Sequence, residues 1–427
     1  MAIGISPIVA LADDGQEAAI GETRYDTLQE AIDHAKDGDT ITLLKDIALT
    51  KDTTIKIAPE TRKTITIDLN QKKISYPNDG EFTTAAISVD KPVVLRITNG
   101  QIDAGDDEHT AIRITCAEDQ LPADLTVSNV KISAGYAGIY TDIYGVGGSG
   151  KNRITLNNVD IISSQYGINA ERAGIYFGSG SIQTTDDEAF YISNCKLTIN
   201  AGEYISKDDP CIQASDSEIR IGGGEFESGD DYALDLYKSK ALLDGGIFKG
   251  PDSAFSVDES DIALGEYAKA IYSDGTVLDD ILNSTYVEVI KTVVKVTFVD
   301  DGKQVAEVLV RRGQSISGDD LADESMPADP QKDGYSFRGW CTAEDGSGDV
   351  FTDTSAVNDD LTVYAYYEQK NGVNNKADSE KSGSETGINS PKTGDDSSFY
   401  MWSALLMISA SAVIAITVVR RKKKCIR

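Results

Sequence analysis

Three shortages narrow what this chain does before any motif is read. Cysteine is the first: five among 427 residues, too few for a disulfide scaffold and without a CxxC or Cys/His metal pattern. Histidine is the second, with only His34 and His109, neither beside an evident nucleophile. Positive charge is the third. Lys and Arg number 40 against 70 Asp and Glu, a formal net charge of −30. From Gly394 onward the balance reverses, with six Lys/Arg to two Asp/Glu, so the chain before it is more acidic still. Such a surface repels nucleic-acid phosphates, which excludes DNA and RNA as partners. It favours solubility outside a cell, or the binding of cations.

What the chain has is a repeat. Residues 166–187, 188–209, 210–231 and 232–252 align position by position, the last unit one residue shorter. The third position is Ile168, Phe190, Ile212, Leu234, the twelfth is Phe177, Ile199, Ile221, Leu243, and the fifteenth is always glycine (Gly180, Gly202, Gly224, Gly246). Apolar residues fall two apart, the spacing of a strand with one buried face. The glycine admits a turn that a side chain would block. One such unit cannot bury its inner face alone, but stacked units form a continuous core, so the expected fold is all-β, a parallel β-helix over residues 25–275. A leucine-rich repeat of similar length would need a leucine and asparagine pattern that is absent. Cys195 and Cys211 occupy different positions of successive units and stay unpaired. Cys211 shares its column with Gly167, Ala189 and Ala233, which predicts a small buried residue.

Ahead of the repeat, Thr27 and Glu30 read as a capping box, and Leu28, Ala31, Ile32 and Ala35 recur at helical spacing until Gly38. This predicts an N-terminal capping helix over the open end of the solenoid, followed by strands at residues 40–44, 54–57 and 64–69. The run from Tyr25 through Ile32, Gly38-Asp39-Thr40-Ile41 and Thr66-Ile67-Asp68-Leu69-Asn70 resembles the opening of pectate-lyase-like right-handed β-helices on Gram-positive surface proteins. Gln71 stands where glycine is usual. Coils continue to about Asp274, with an insertion at 144–153, giving roughly eight or nine coils and ~40 Å of stacked sheet. Residues 276–293 are less regular and read as a cap or connector.

From Val294 the pattern changes. Val294, Val296 and Phe298 alternate, Asp300-Asp301-Gly302 turns, and residues 305–310 return. The strings Gly334-Tyr335-Ser336-Phe337-Arg338-Gly339-Trp340 and Leu361-Thr362-Val363-Tyr364-Ala365 then resemble the internalin-type B-repeat (Listeria–Bacteroides repeat). That resemblance covers about residues 295–368 and implies a small β-grasp-like module at 294–369. Cys341 and Tyr366 replace the aromatic residue and the tryptophan common there. Residues 370–389 are polar and aperiodic, a flexible spacer.

Both ends carry address-like segments. Residues 1–12 are apolar and end Ala10-Leu11-Ala12 before Asp13, the pattern of a signal-peptidase site in a signal-peptide remnant. At the other end stand Ser390, Pro391, Lys392, Thr393 and Gly394, then a largely apolar run at 399–419 and a basic tail at 420–427. As a helix the run spans ~31 Å, enough to cross a bilayer, and the basic tail would stay cytoplasmic. The three parts in this order resemble a cell-wall sorting signal, with Ser-Pro-x-Thr-Gly close to the variant motif of some clostridial sortases. The resemblance implies that sortase attacks the Thr393 carbonyl, releases Gly394 onward and joins the chain to peptidoglycan. The plainer alternative is a C-terminal membrane anchor alone.

Two other patterns bear on chemistry. Residues 145–151 match seven positions of GxxxxGK[ST], but Asn152 offers no hydroxyl for Mg²⁺, so this reads as a loop. The pairs Asp186/Asp187, Asp208/Asp209 and Asp230/Asp231 recur every 22 residues, with Asp252 and Asp274 continuing the spacing. Stacked, they form a carboxylate ladder at one corner, and Asp suits turns for its own reasons. The functional alternative is calcium bridging, calcium being the only cofactor the pattern admits. Regular recurrence argues against a single catalytic acid pair. The expectation is therefore a secreted, wall-anchored surface protein that binds a glycan or protein, with Tyr176, Tyr191, Tyr204 and Tyr237 as candidate sugar platforms. A surface carbohydrate-active enzyme and a passive stalk are the alternatives.

Overall fold

The computed structural model describes residues 15–50, 53–77, 85–105, 109–115, 121–142, 152–321 and 325–370. The chain divides into Met1–Gln369 and Lys370–Arg427, and every element below lies in the first. Apart from one helix, the described residues are all β, built on long parallel sheets in a β-helix-like stack. One parallel sheet runs nine strands deep, from Ile55–Ile57 to Phe255–Asp258. Opposite it, the strands of each regular coil pair in two separate columns. Lys196–Ile199 lies on Glu218–Ile221, and Glu203–Ser206 lies on Glu225–Ser228.

The columns read from the sequence become layers of core. Phe190, Ile212 and Leu234 stack in register and are fully buried. At the seventeenth position Tyr204, Phe226 and Phe248 form a near-parallel stack, with centroids 4.7 and 5.0 Å apart at 18° and 8°. Tyr204 donates its hydroxyl to Ala201 O at 2.8 Å. Burial pushes its phenol above the ordinary range, so this tyrosine is core and not a sugar platform.

Each coil bends where the backbone turns left-handed. Gly180, Gly202, Gly224 and Gly246 hold φ between 116° and 144°, as the repeat predicts. A Cβ on Gly180 would lie 1.9 Å from Val159 O. In the longer coils before it, Asn99, Asn129 and Asn158 (φ 60°, 56°, 54°) make the bend instead. Their amides chain together, Asn158 Nδ2 to Asn129 Oδ1 at 2.9 Å and Asn129 Nδ2 to Asn99 Oδ1 at 3.2 Å. Gln71, where glycine is usual, adopts φ 61°. A second corner is held by an inward spine. Cys195 N donates to Ser217 Oγ, Ser217 N to Ser239 Oγ, and Ser239 N to Ser260 Oγ, at 3.0, 3.0 and 2.9 Å. Cys195 continues this spine, its Sγ accepting from Ala173 N. Cys195 and Cys211 are both buried, and burial pushes the Cys211 thiol up to about 12.

The N-terminal helix, α1 (Leu28–His34), buries Leu28, Ala31 and Ile32 against the first coil. Half of the expected capping box forms: Thr27 Oγ1 accepts from Glu30 N at 3.1 Å. A further orphan donor at the helix start, Leu28 N, goes to Glu17 Oε2 at 3.0 Å. At the far end the regular stack is shorter than the sequence implies. Parallel pairing ends with Asp261–Leu264. Ala268–Ile271 and Gly246–Lys249 then pair antiparallel with Tyr286–Lys291, which closes the open edge. Of the insertion expected at 144–153, Asn152 and Arg153 already belong to the strand Asn152–Ser163.

The final module is a five-stranded sheet with a core of its own around Val296, Phe298, Trp340 and Val363. Val293–Asp300 pairs antiparallel with Lys303–Arg311 and parallel with Leu361–Gln369. That last strand takes Tyr335–Cys341 on its other side. Asp301 and Gly302 make the expected turn with φ 46° and 74°.

A candidate ligand-binding face on the solenoid

Stacking places outward residues of successive coils in rows. On the nine-stranded sheet one row runs Arg113, Tyr140, Asn169, Tyr191, Gln213, Asp235. Beside it, at the corner, stand Tyr136 and Tyr166. The rings interlock: Tyr136–Tyr140 at 5.7 Å, Tyr136–Tyr166 at 5.5 Å and Tyr166–Tyr191 at 5.4 Å. Tyr191 is 41% exposed. The Arg113 guanidinium lies 5.8 Å from the centre of the Tyr140 ring.

Next to this tyrosine shelf the acid pairs form their corner. The pairing is as stacking requires, but the two members differ: Asp186, Asp208 and Asp230 are exposed, while Asp187, Asp209 and Asp231 are half-buried. Burial raises the pKa of Asp187, Asp209 and Asp231, and neighbouring carboxylates add to it, Asp209 and Asp186 on Asp187, Asp235 and Asp209 on Asp231. Glu188 joins them from the first position of its unit, where Tyr166 and Tyr232 stand in others. It is 5% exposed. Burial first, then Asp209, Asp187 and Asp235, push its carboxyl up to about 7. The Tyr166 phenol is raised by burial and by Asp187 and Glu188. Lys207 reaches the outward Asp208 at 3.6 Å, but among the described residues none of Asp187, Glu188, Asp209 or Asp231 has a basic partner. Asp252 extends the column to Asp231. Asp274 does not, since its carboxylate accepts from Thr276 N at 2.9 Å in its own turn. Among the described residues no group of three or more acidic, histidine or cysteine side chains is arranged to hold a metal ion.

The tyrosines named in the sequence therefore part company. Tyr191, Tyr176 and Tyr237 are exposed and Tyr204 is buried. Tyr176 stands apart from the shelf, its hydroxyl accepting from Asn200 Nδ2 at 2.6 Å. The shelf members Tyr136 and Tyr140 come from a coil of different length, while Tyr166, Asn169, Glu188 and Asp235 stand at positions where the regular units share no residue type, so the period does not bring them out. Tyr166 and Tyr232 sharing the first position was the available signal. His109 is buried against Tyr76, and His34 is bonded to Glu30 O. Ala10, Ala12, Asp13, residues 145–151, the Ser390–Gly394 motif, the apolar run and the basic tail lie outside the described residues.

A cleft of about 1280 Å³ lies between the other face of the solenoid and the final module. Most of its charges are matched, Arg220 to Asp244 at 2.8 Å, Lys291 to Asp360 at 2.9 Å and Lys295 to Glu307 at 3.2 Å, while Lys240, Asp261 and Glu266 line it with no ion pair among the described residues. It offers a ligand little unsatisfied charge. The tyrosine–carboxylate face does.

Fold and face together define an elongated β-solenoid with an outward aromatic and acidic strip. Residues 295–366 match the Listeria-Bacteroides repeat domain family, as the glycine–aromatic string and the final strand suggest, and this points to a surface-associated bacterial protein. No curated protein matches the chain. Among the described residues no helix is long and apolar enough to cross a membrane.

Proposed function

We propose that this chain is a cell-wall-anchored surface protein of a Gram-positive bacterium that binds glycans through a right-handed, pectate-lyase-like β-helix. The order of Ser390–Gly394 motif, apolar run and basic tail supports secretion, a transient membrane stop and sortase transfer of Thr393 to peptidoglycan. The repeat module supports a surface location. The observation that carries the binding role is the Tyr136–Tyr166–Tyr191 shelf beside acceptor carboxylates, since pyranose rings stack on aromatic faces while their hydroxyls need acceptors.

One observation favours a second reading, a glycosidase. Glu188, whose carboxyl is pushed up to about 7 by burial and by neighbouring carboxylates, has the character of a general acid. One experiment separates the two: the full chain is incubated with plant, host and bacterial polysaccharides, with and without Ca²⁺, and analysed by mass spectrometry. Retention of intact glycan, lost in Tyr191→Ala, supports binding. New fragments, absent with Glu188→Gln, establish the enzyme. Neither retention nor cleavage overturns the glycan reading and points to protein receptors. Wall fragments ending at Thr393 test the anchoring.

A further inference from the structure

We propose that a tyrosine-lined pocket on the final module binds the sugar–peptide polymer of the cell wall itself, and so seats the module on the peptidoglycan to which the chain is joined. This rests on the anchoring reading above and goes beyond it, and the site is separate from the solenoid's shelf.

The pocket, about 320 Å³, is lined by Tyr335, Tyr364, Tyr366 and Tyr367. Tyr335 and Tyr366 are 37% and 43% exposed, yet both rings are restrained. A Cβ on Gly346 would lie 2.4 Å from the Tyr366 ring, so that glycine lets the turn after Cys341 close against the ring and fix it. The Lys332 ammonium lies 5.4 Å from the centre of the Tyr335 ring and 5.2 Å from that of Tyr367, and it pairs with Asp301 at 2.6 Å. Tyr367 in turn donates its hydroxyl to Asp300 at 2.9 Å. Aromatic faces held in place before a ligand arrives lose little entropy on binding it. Such faces stack on sugar rings, while neighbouring polar groups bond to hydroxyls and amides.

Position names the occupant. Tyr335 pairs with Gln369, the last residue of the final strand. The Asp301–Gly302 turn lies at the same end, since Val299 and Tyr364 are partners on parallel strands. The pocket therefore sits where the chain leaves for its anchor. Thr393 follows Gln369 by 24 residues, which span at most ~80 Å when fully extended. Within that radius a single wall site is already at a concentration on the order of 1 mM, so a pocket of modest affinity is filled. Charge then chooses among wall polymers. Glu344 and Asp345 line the pocket beside Asp301, and Lys332 is already paired. Phosphate-bearing polymers are repelled, whereas the uncharged amino-sugar backbone and its peptides bring amide and ammonium donors.

The test measures cosedimentation of the full chain with purified peptidoglycan stripped of anionic polymers, and its titration with soluble muropeptides. Tyr335→Ala/Tyr366→Ala is expected to weaken binding about tenfold, and Tyr335→Phe/Tyr366→Phe to keep it, both at unchanged Tm. Tyr335→Ala alone leaves the Gly346 contact intact, and a loss of about threefold there guards against a folding defect. Binding that survives the alanine variants overturns the proposal, and so does no binding at all. A loss in Tyr191→Ala as large as in the module variants assigns the polymer to the solenoid and overturns it. Tighter, salt-sensitive binding to unstripped, phosphate-bearing wall overturns the choice of polymer. No sortase takes part, so failure here is distinct from failure of anchoring, which the wall fragments ending at Thr393 read.

Discussion

Two strips of the same solenoid treat charge in opposite ways. On the lateral face the row Lys196, Glu218, Lys240, Asp261 alternates in sign from coil to coil. At the corner the row Asp187, Asp209, Asp231, Asp252 keeps one sign throughout. Stacking brings equivalent positions within about 5 Å, so a repeat multiplies whatever it is given. Alternation turns that into a chain of attractions, and uniformity into a chain of repulsions. The first arrangement serves the fold. The second works against it, and a cationic ligand would relieve it.

The largest effect that sharpens this contrast is at Glu188. Its carboxyl titrates near 7 in the folded chain against 4.5 unfolded, so the unfolded state loses its proton first. The penalty is absent below about pH 4.5, grows as pH rises and is complete above 7. After allowance for solvent at the corner, Glu188→Gln is expected to stabilise the protein by about 2 kcal/mol at pH 8 and not at pH 4. Chemical denaturation at the two pH values measures it, and equal stability at pH 8 would remove the contrast.

Asp124 supplies the opposite sign. It accepts two bonds from Arg153, at 2.7 and 2.6 Å, and one from Arg62 at 2.6 Å. Although burial opposes it, the Arg153 and Arg62 guanidiniums hold its carboxyl below the usual range. Its contribution is full at neutral pH and is lost as pH falls through the folded value. Asp124→Asn is expected to cost roughly 1.5 kcal/mol at pH 7, read from the denaturant midpoint.

Smaller still is Lys240→Glu, which puts a third acid between Glu218 and Asp261 and so makes the lateral row resemble the acidic corner. A loss of about 0.5–1 kcal/mol at low salt, shrinking at high salt, is expected. A salt-insensitive loss would mean that packing, not charge, is being measured. The smallest effect concerns divalent ions. Ca²⁺ and Mg²⁺ are expected to raise Tm by the same degree or two through screening. A calcium-specific rise, lost in Asp208→Asn/Asp230→Asn, would instead establish the bridged ladder.

Most of the architecture was legible because it repeats: glycine at the fifteenth position and apolar residues at the third and twelfth need no partner to be recognised. What escaped was whatever the repeat supports with unlike residues. The left-handed corner occupied by Arg172, Asn194, Asp216, Lys238 and Glu259 shows no common side chain, since only the backbone is shared. The spine of Cys195, Ser217, Ser239 and Ser260 mixes a thiol with hydroxyls. The tyrosine–carboxylate face draws Tyr136 and Tyr140 from a coil 29 residues from the next, where Ile139 meets Ile168, before the period falls to 22 at Phe190. Alignment by period cannot bring such residues together; only register does.

The sheet of the final module has a mechanical consequence. The chain enters it at Val293 and leaves at Gln369, on strands that are adjacent and parallel, in register from Val296 with Leu361 to Val299 with Tyr364. The point of entry and the point of exit therefore lie at opposite ends of one hydrogen-bonded pair. If the C-terminus is tethered and a ligand held on the solenoid as proposed, tension between them pulls these strands past each other and loads all the bonds between them at once. Rupture under such a load must break them together, not one by one as in an unzipping hairpin.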